Sequence, residues 1–268
     1  MNYIGVSKAL GLAMALLGFL SPSGAAEPVV AQVIARLDSL TTNLSTELTA
    51  RLGTNVVRGS YTTVWRQFED LAIEALKETL PQHVPELTAK NFDGGEGNLG
   101  REKNRLADFA IRCGPNTIEI SIKAARNTGQ PENDLGTFRD HENRKKLFVA
   151  AFTVWVRYAE TNGGFRAERV FFDHTWRFVG KSSLVDGVKY RKKDGNMRPK
   201  SWAMFDAGKS FWRTEAEFEA ALKRSETFRA NELVKEHLSD LSEDDQKLLH
   251  DRLHEKFAPP TKSPVTRP

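Results

Sequence analysis

The stretch "RLADFAIRCGPNTIEISIKAA" (105–125) constrains the fold more than any other part of the chain. Two apolar runs flank Gly114-Pro115-Asn116, a tight-turn signal, and this predicts strands over 105–114 and 116–125 paired as a hairpin. In the second run Ile118, Ile120 and Ile122 alternate with Glu119, Ser121 and Lys123. Residues two apart leave the same face of a strand, so the isoleucines make a face to bury. An acid, a hydroxyl and an amine share the other. Ten residues separate Asp108 in the first strand from Glu119 in the second, a spacing that a hairpin can bring together near one end of the sheet.

A solvated strand face has this composition too. What sets the set apart is its fit to phosphodiester hydrolysis. Carboxylates hold a hard divalent cation, which lowers the pKa of a water and neutralises charge in the transition state. A lysine beside them orients the attacking water or stabilises charge on the phosphate. Ser121 as a hydrolase nucleophile is disfavoured, because neither a GxSxG elbow nor a strand-to-helix turn surrounds it.

The flanking segments supply helices. In residues 28–52, Val33, Leu37, Leu40, Leu44 and Leu48 form a narrow apolar seam, for core packing or for pairing with a second copy. Residues 60–80 form a second helix, with Ser60 as N-cap and Trp65, Phe68, Leu71, Ala72 and Leu76 as its buried stripe. Residues 91–104 are a glycine-rich loop whose GGEGNLG lacks the GK[ST] ending of a nucleotide loop. Residues 127–136 are a loop, 139–160 a long crossover helix burying its second half, and 169–178 a further strand. From about 205 the pattern is helical and highly charged, and proline-rich residues 258–268 read as a disordered tail. The expected fold class is therefore α/β, one domain over 27–257, with helical N- and C-terminal additions.

Composition sets outer limits. The 268 residues carry a net charge of +4, which suits a polyanionic partner without requiring one. Cys113 is the one cysteine, which excludes an internal disulfide and a multi-cysteine zinc site. The six histidines contain no HExxH; His250 and His254 read as surface residues, and Asp173-His174 as a strand pair rather than an HNH motif. Residues 1–26 pair one lysine with an apolar run from Ala9 to Leu20 and small residues before Glu27. That is the layout of a secretory signal, too short to span a membrane.

Asp108 on one strand and the Ser-x-Lys of Ser121 and Lys123 on the next resemble the PD-(D/E)XK nuclease superfamily, whose signature is an Asp followed by acid-x-Lys. The run "ADFAIRCGPNTIEISIKAARNTGQPENDLGTF" (107–138) also resembles type II restriction endonucleases, in which a loop containing NDLG often follows. The resemblance covers roughly residues 60–178. It implies a restriction-endonuclease-like core, a central mixed sheet flanked by helices. It also implies a Mg²⁺-dependent enzyme hydrolysing phosphodiester bonds in double-stranded DNA at a short site.

Residue by residue, Asp108 matches the metal-binding Asp and Lys123 the catalytic lysine. Ala107 stands in place of the usual proline, and Ser121 stands where the acid should be. The missing carboxylate comes from Glu119, one pleat (about 7 Å) further along the same strand face, or from Glu142 at the start of the following helix. Glu69 matches an auxiliary metal-binding position. Among DNA contacts, Arg126, Asn127 and Arg139 lie nearest the metal in sequence. Lys189, Arg191, Lys192, Lys193 and Arg198 in the basic segment 187–202 suit the phosphate backbone.

A restriction enzyme of this kind is a homodimer on a palindromic site, works with a cognate DNA methyltransferase, has no membrane partner and is cytoplasmic. The signal-like N-terminus points instead to an exported, non-catalytic protein that binds nucleic acid or another polyanion.

Overall fold

The computed structural model describes residues 27–60, 62–94, 107–248 and 251. The signal-like segment, most of the glycine-rich loop, His250, His254 and the proline-rich tail lie outside them. Two compact units are present: residues up to Gly129 with Asn143–Thr175, and Gln130–Glu142 with residues from Trp176 on.

The first unit is built on a five-stranded mixed sheet in the order β1-β2-β3-β4-β5. These strands are Phe92–Gly94, Phe109–Cys113, Asn116–Arg126, Ala150–Thr161 and Gly164–His174. β3 and β4 run parallel, and the other pairs are antiparallel. β2 and β3 form the expected hairpin. Cys113 faces Asn116 across a two-residue turn, and Gly114 takes φ +63°, the sign a primed turn needs at its first central residue. A central mixed sheet, flanking helices and helical segments at both ends of the described chain agree with the sequence expectation.

Three elements differ from that expectation. Residues 139–160 are not one helix: α3 covers Phe138–Leu147, and β4 follows within three residues. The run from Phe152 to Trp155 and Val156 is buried on both sides, so it lacks the alternation that marks a half-buried strand. By periodicity such a run cannot be told from a buried helix. Phe92–Gly94, within the expected glycine-rich loop, pairs with β2 as an edge strand. The strand expected over 169–178 begins earlier, at Gly164, and gives way to a helical turn, α4, over Thr175–Phe178.

Helices α1 (Glu27–Gly53) and α2 (Val64–His83) pack on the isoleucine face. Their Val33, Leu37, Leu44, Leu48, Phe68, Ala72 and Leu76 join Ile118, Ile120, Ile122, Phe152, Val154 and Phe172 in one core. The α1 seam is thus spent inside the molecule rather than between copies. Ser60 precedes α2 by a turn and accepts from Thr63 and Val64 through its carbonyl; Thr63 occupies the cap position.

α1 also closes the outer edge of β5. Thr49 Oγ1 accepts from the Val170 amide at 2.8 Å, and Ser45 Oγ from the Phe172 amide at 2.9 Å. One helical turn (i, i+4) thereby matches one strand repeat (i, i+2). Further along, Val57 exchanges two backbone hydrogen bonds with Phe165, each 2.8 Å. Here Gly164 must remain glycine, since a Cβ would lie 2.4 Å from the Val57 carbonyl oxygen.

In the second unit, α5 (Trp202–Asp206) and α6 (Glu215–Ser239) accompany the irregular 179–200 segment. That segment is held by isolated bridges, Val179 to Pro199, Lys181 to Val188 and Tyr190 to Met197. Phe218, Ala221, Leu222 and Ser225 give α6 its buried face.

Replacing Ser45 by Ala or Thr49 by Val leaves a strand amide without its acceptor. Each is expected to cost about 1–3 kcal/mol, measured by urea denaturation, with the double variant losing more than either single one.

Candidate active site

Hairpin geometry sets the site. Because Phe109 faces Ile120, the residue before β2, Asp108, falls opposite Ser121. Its Oδ2 accepts three hydrogen bonds: from the Ile122 amide at 2.7 Å, from Ser121 Oγ at 3.0 Å and from Lys123 Nζ at 3.2 Å. Asp108 and Lys123 keep about a quarter and a fifth of their side-chain surface exposed, whereas Ser121 is buried. Asp108 thus meets Ser121 and Lys123 at the entry to the strand rather than within it, whereas Glu119, the residue expected beside it, faces Ala110.

Glu119 lies on the same face, one pleat below. It is fully buried, and both carboxylate oxygens face Arg144 of α3, with Nε 3.1 Å from Oε1 and 3.0 Å from Oε2. Burial pushes the Glu119 carboxyl up to about 7, against the pull of Arg144. Arg144 was not among the residues expected at the site. The "RDHENRKK" run offers three basic residues in its second half, and nothing in it separates the buried arginine from the two exposed lysines beside it.

Glu69 comes from α2, one position beyond core residue Phe68, and so sits on the flank of the helix, half-buried. Burial pushes its carboxyl up to about 8; the charge of Lys123 opposes this, and that of Asp108 adds to it. Lys123 thus lies within electrostatic reach of Asp108, Glu69 and Glu119 together. Glu142 is exposed on the part of α3 that belongs to the second unit.

The expected DNA contacts are scattered. Arg126, at the end of β3, pairs with Glu160 at 3.2 Å, and Asn127 Nδ2 donates to Glu168 at 3.0 Å. Arg139 is exposed on α3. In the 187–202 segment Arg191 pairs with Asp194 and Asp134, Arg198 with Asp134 and the Glu132 carbonyl, and Lys192 with Glu236. Arg191 holds the Asp194 carboxyl well below the usual carboxylate range. Lys189 and Lys193 are exposed. Asp134 of the NDLG run serves as an internal anchor for two of the arginines.

Among the described residues, no group of three or more His, Cys, Asp and Glu side chains is placed to hold a metal ion. Oxygen donors gather at this end of the hairpin: Lys123 touches the Asp108 carboxylate, which also accepts from the Ser121 hydroxyl, and Lys123 acts on the Glu69 carboxyl through its charge. No described helix is long and apolar enough to cross a membrane.

Two outcomes follow. Arg144→Ala strands a buried carboxylate and should cost about 3–5 kcal/mol; Glu119→Gln in the same chain should recover part of that loss in urea denaturation. A carboxyl with a raised folded pKa is neutral in both states below its ordinary 4.5, and its contribution to stability is lost as pH rises from there through about 8. Glu69→Gln should therefore flatten the decline in stability between pH 5 and about 8 in metal-free buffer.

No family model matches the sequence, and no curated protein does. Among solved structures, the chain is similar to the NlaIV restriction endonuclease, over 69% of this chain and 76% of that one, with a TM-score of 0.44 and 13% identity. A likeness this loose compares the course of the backbone and carries no residue's role with it.

Proposed function

We propose that the chain is an endodeoxyribonuclease that hydrolyses phosphodiester bonds in double-stranded DNA with Mg²⁺, working as a type II restriction enzyme at a short site. The observation that carries this reading is the single carboxylate oxygen of Asp108 gathering Ser121, the Ile122 amide and Lys123 at the partly exposed end of the β2–β3 hairpin. An ordinary surface ion pair needs no buried serine and no strand amide to fix it.

The donor set fits Mg²⁺. It is made of hard oxygens, and Mg²⁺ is commonly held by one or two carboxylates while keeping several waters. Asp108 and Glu69 would hold it, which explains why two acids share one lysine. Glu119 would join them only by exchanging its Arg144 partner, and Glu142 stands as a further candidate acid. When bound, the cation supplies neutralisation of phosphate charge and a lowered pKa for water.

The remaining chemistry belongs to side chains. Lys123 Nζ, 3.2 Å from Asp108 Oδ2, would donate to the attacking water or to a non-bridging phosphate oxygen. Ser121 and the Ile122 amide hold the Asp108 carboxylate in one orientation. Arg126, Asn127, Arg139, Lys189, Arg191, Lys192, Lys193 and Arg198 are the candidate DNA contacts, Lys189 and Lys193 reaching phosphates without giving up an ion pair described above. A palindromic site would call for a homodimer, with a methyltransferase protecting host DNA.

The test is incubation of plasmid DNA with the purified full chain, in Mg²⁺ and in EDTA. Discrete fragments are expected in Mg²⁺ alone, with Lys123→Ala and Asp108→Asn each reducing the cleavage rate at least about 100-fold. Plasmids of varied sequence left intact by folded protein in Mg²⁺ would refute the proposal.

A further inference from the structure

The first turns of α2 lie at the rim of the site formed by Asp108 and Lys123. Phe68 stacks on Tyr158, ring centroids 4.9 Å apart and planes 21° from parallel. Tyr158 faces Arg126 on β3, three residues beyond Lys123. That contact seats the beginning of α2 against the end of β3 to which Lys123 belongs. Glu69 follows Phe68 directly, and Arg66 precedes Glu69 by three positions. Residues at i and i+3 are neighbours on a helix surface, with Cβ atoms about 5–6 Å apart. Arg66 is therefore beside Glu69, and its charge acts on that carboxyl as the charge of Lys123 does.

What sets Arg66 apart is how it is held. The residue is exposed, and its guanidinium lies over the Trp65 ring with Cζ 5.2 Å from the centroid. Trp65 is half-buried against the core, and its indole N–H donates to the Thr62 carbonyl at 2.9 Å, so the ring is a fixed platform. Among the described residues, Arg66 forms no ion pair and its guanidinium donates no hydrogen bond. The cations that share this end of β3 are engaged, Lys123 with Asp108 and Arg126 with Glu160. Stacking on an aromatic face fixes a guanidinium while leaving its donors unspent.

We infer that Arg66 binds a phosphate of the DNA backbone beside the scissile one; this rests on the nuclease reading of Asp108 and Lys123. A phosphate drawn toward Asp108 and Glu69 meets carboxyl groups of its own sign, and a cation one helical turn away offsets that repulsion. Arginine takes phosphate oxygens bidentately, which fixes position as well as charge. The contact reads the backbone rather than base edges, so it contributes affinity and register without sequence preference.

The test measures duplex oligonucleotide binding by fluorescence anisotropy against salt concentration, with the full chain in EDTA. Arg66→Ala should reduce the slope of log affinity against log salt by about 0.9, the value for one phosphate contact, equally on unrelated sequences. Arg66→Lys keeps the charge but loses the planar fork, and should retain the slope while binding more weakly than wild type. The urea midpoint of Arg66→Ala should match that of the wild type, which separates a lost contact from a lost fold. In plasmid cleavage with Mg²⁺, Arg66→Ala should raise KM about 10-fold while lowering kcat much less. An unchanged slope and affinity in Arg66→Ala, beside wild-type cleavage, would overturn the phosphate contact alone. A reduced slope in a chain whose wild type cuts nothing would overturn the nuclease reading and leave Arg66 as a contact on a DNA-binding surface. A wild type that neither binds nor cuts duplex DNA would overturn both.

Discussion

Burial of β3 on both faces is the constraint on which the rest of the structure depends. Ile118, Ile120 and Ile122 lock one face into the core beneath α1 and α2, while Glu119 and Ser121 are buried on the other. A slip of one residue would drive the acid and the lysine into the core and turn the isoleucines toward the polar cluster, so the register admits no alternative. Every polar contact of the candidate site inherits its geometry from that apolar lock. Even the hydrogen bond from the Ile122 amide to Asp108 exists because a core isoleucine fixes where its backbone lies.

Along the polar face the environment grades from dry to wet. Glu119 and Arg144 form a buried ion pair, which adds little to stability against an apolar alternative but ties α3 to one position on β3. Ser121 comes next, and then Asp108, Lys123 and the half-buried Glu69. The gradient separates two jobs that three nearby acids would otherwise compete for. Glu119 is neutralised by a partner of its own, so Lys123 is left to Asp108 and Glu69.

Much of this was legible in the sequence, for reasons that particular residues make plain. The Gly114-Pro115 turn and the isoleucine alternation are local signals, and the hairpin follows from them; its register does not match the expected pairing of Asp108 with Glu119, because a two-residue turn sets Glu119 opposite Ala110 and Asp108 opposite Ser121. The run from Phe152 to Val156 was misleading because burial on both faces erases periodicity. Its β-branched and aromatic content was the available clue. Arg144 was invisible, since the choice of one arginine among three basic neighbours is made by its contact with Glu119, far away in the chain. The basic segment 187–202 was legible as charge but not as structure. Asp134 lies more than fifty residues before Arg191 and Arg198 in the chain, and no local pattern announces that pairing.

The hydroxyl caps that α1 places on β5 also bear on how copies of this chain can meet. A sheet running without interruption across a two-fold axis needs a bare strand on each side of the axis, and Ser45, Thr49 and Val57 have already taken the outward groups of β5 at Val170, Phe172 and Phe165. Association through that border would first have to peel a 27-residue helix away from the core it helps to form. Any symmetric assembly that leaves the protomer intact must therefore be joined by side chains or loops there, not by backbone.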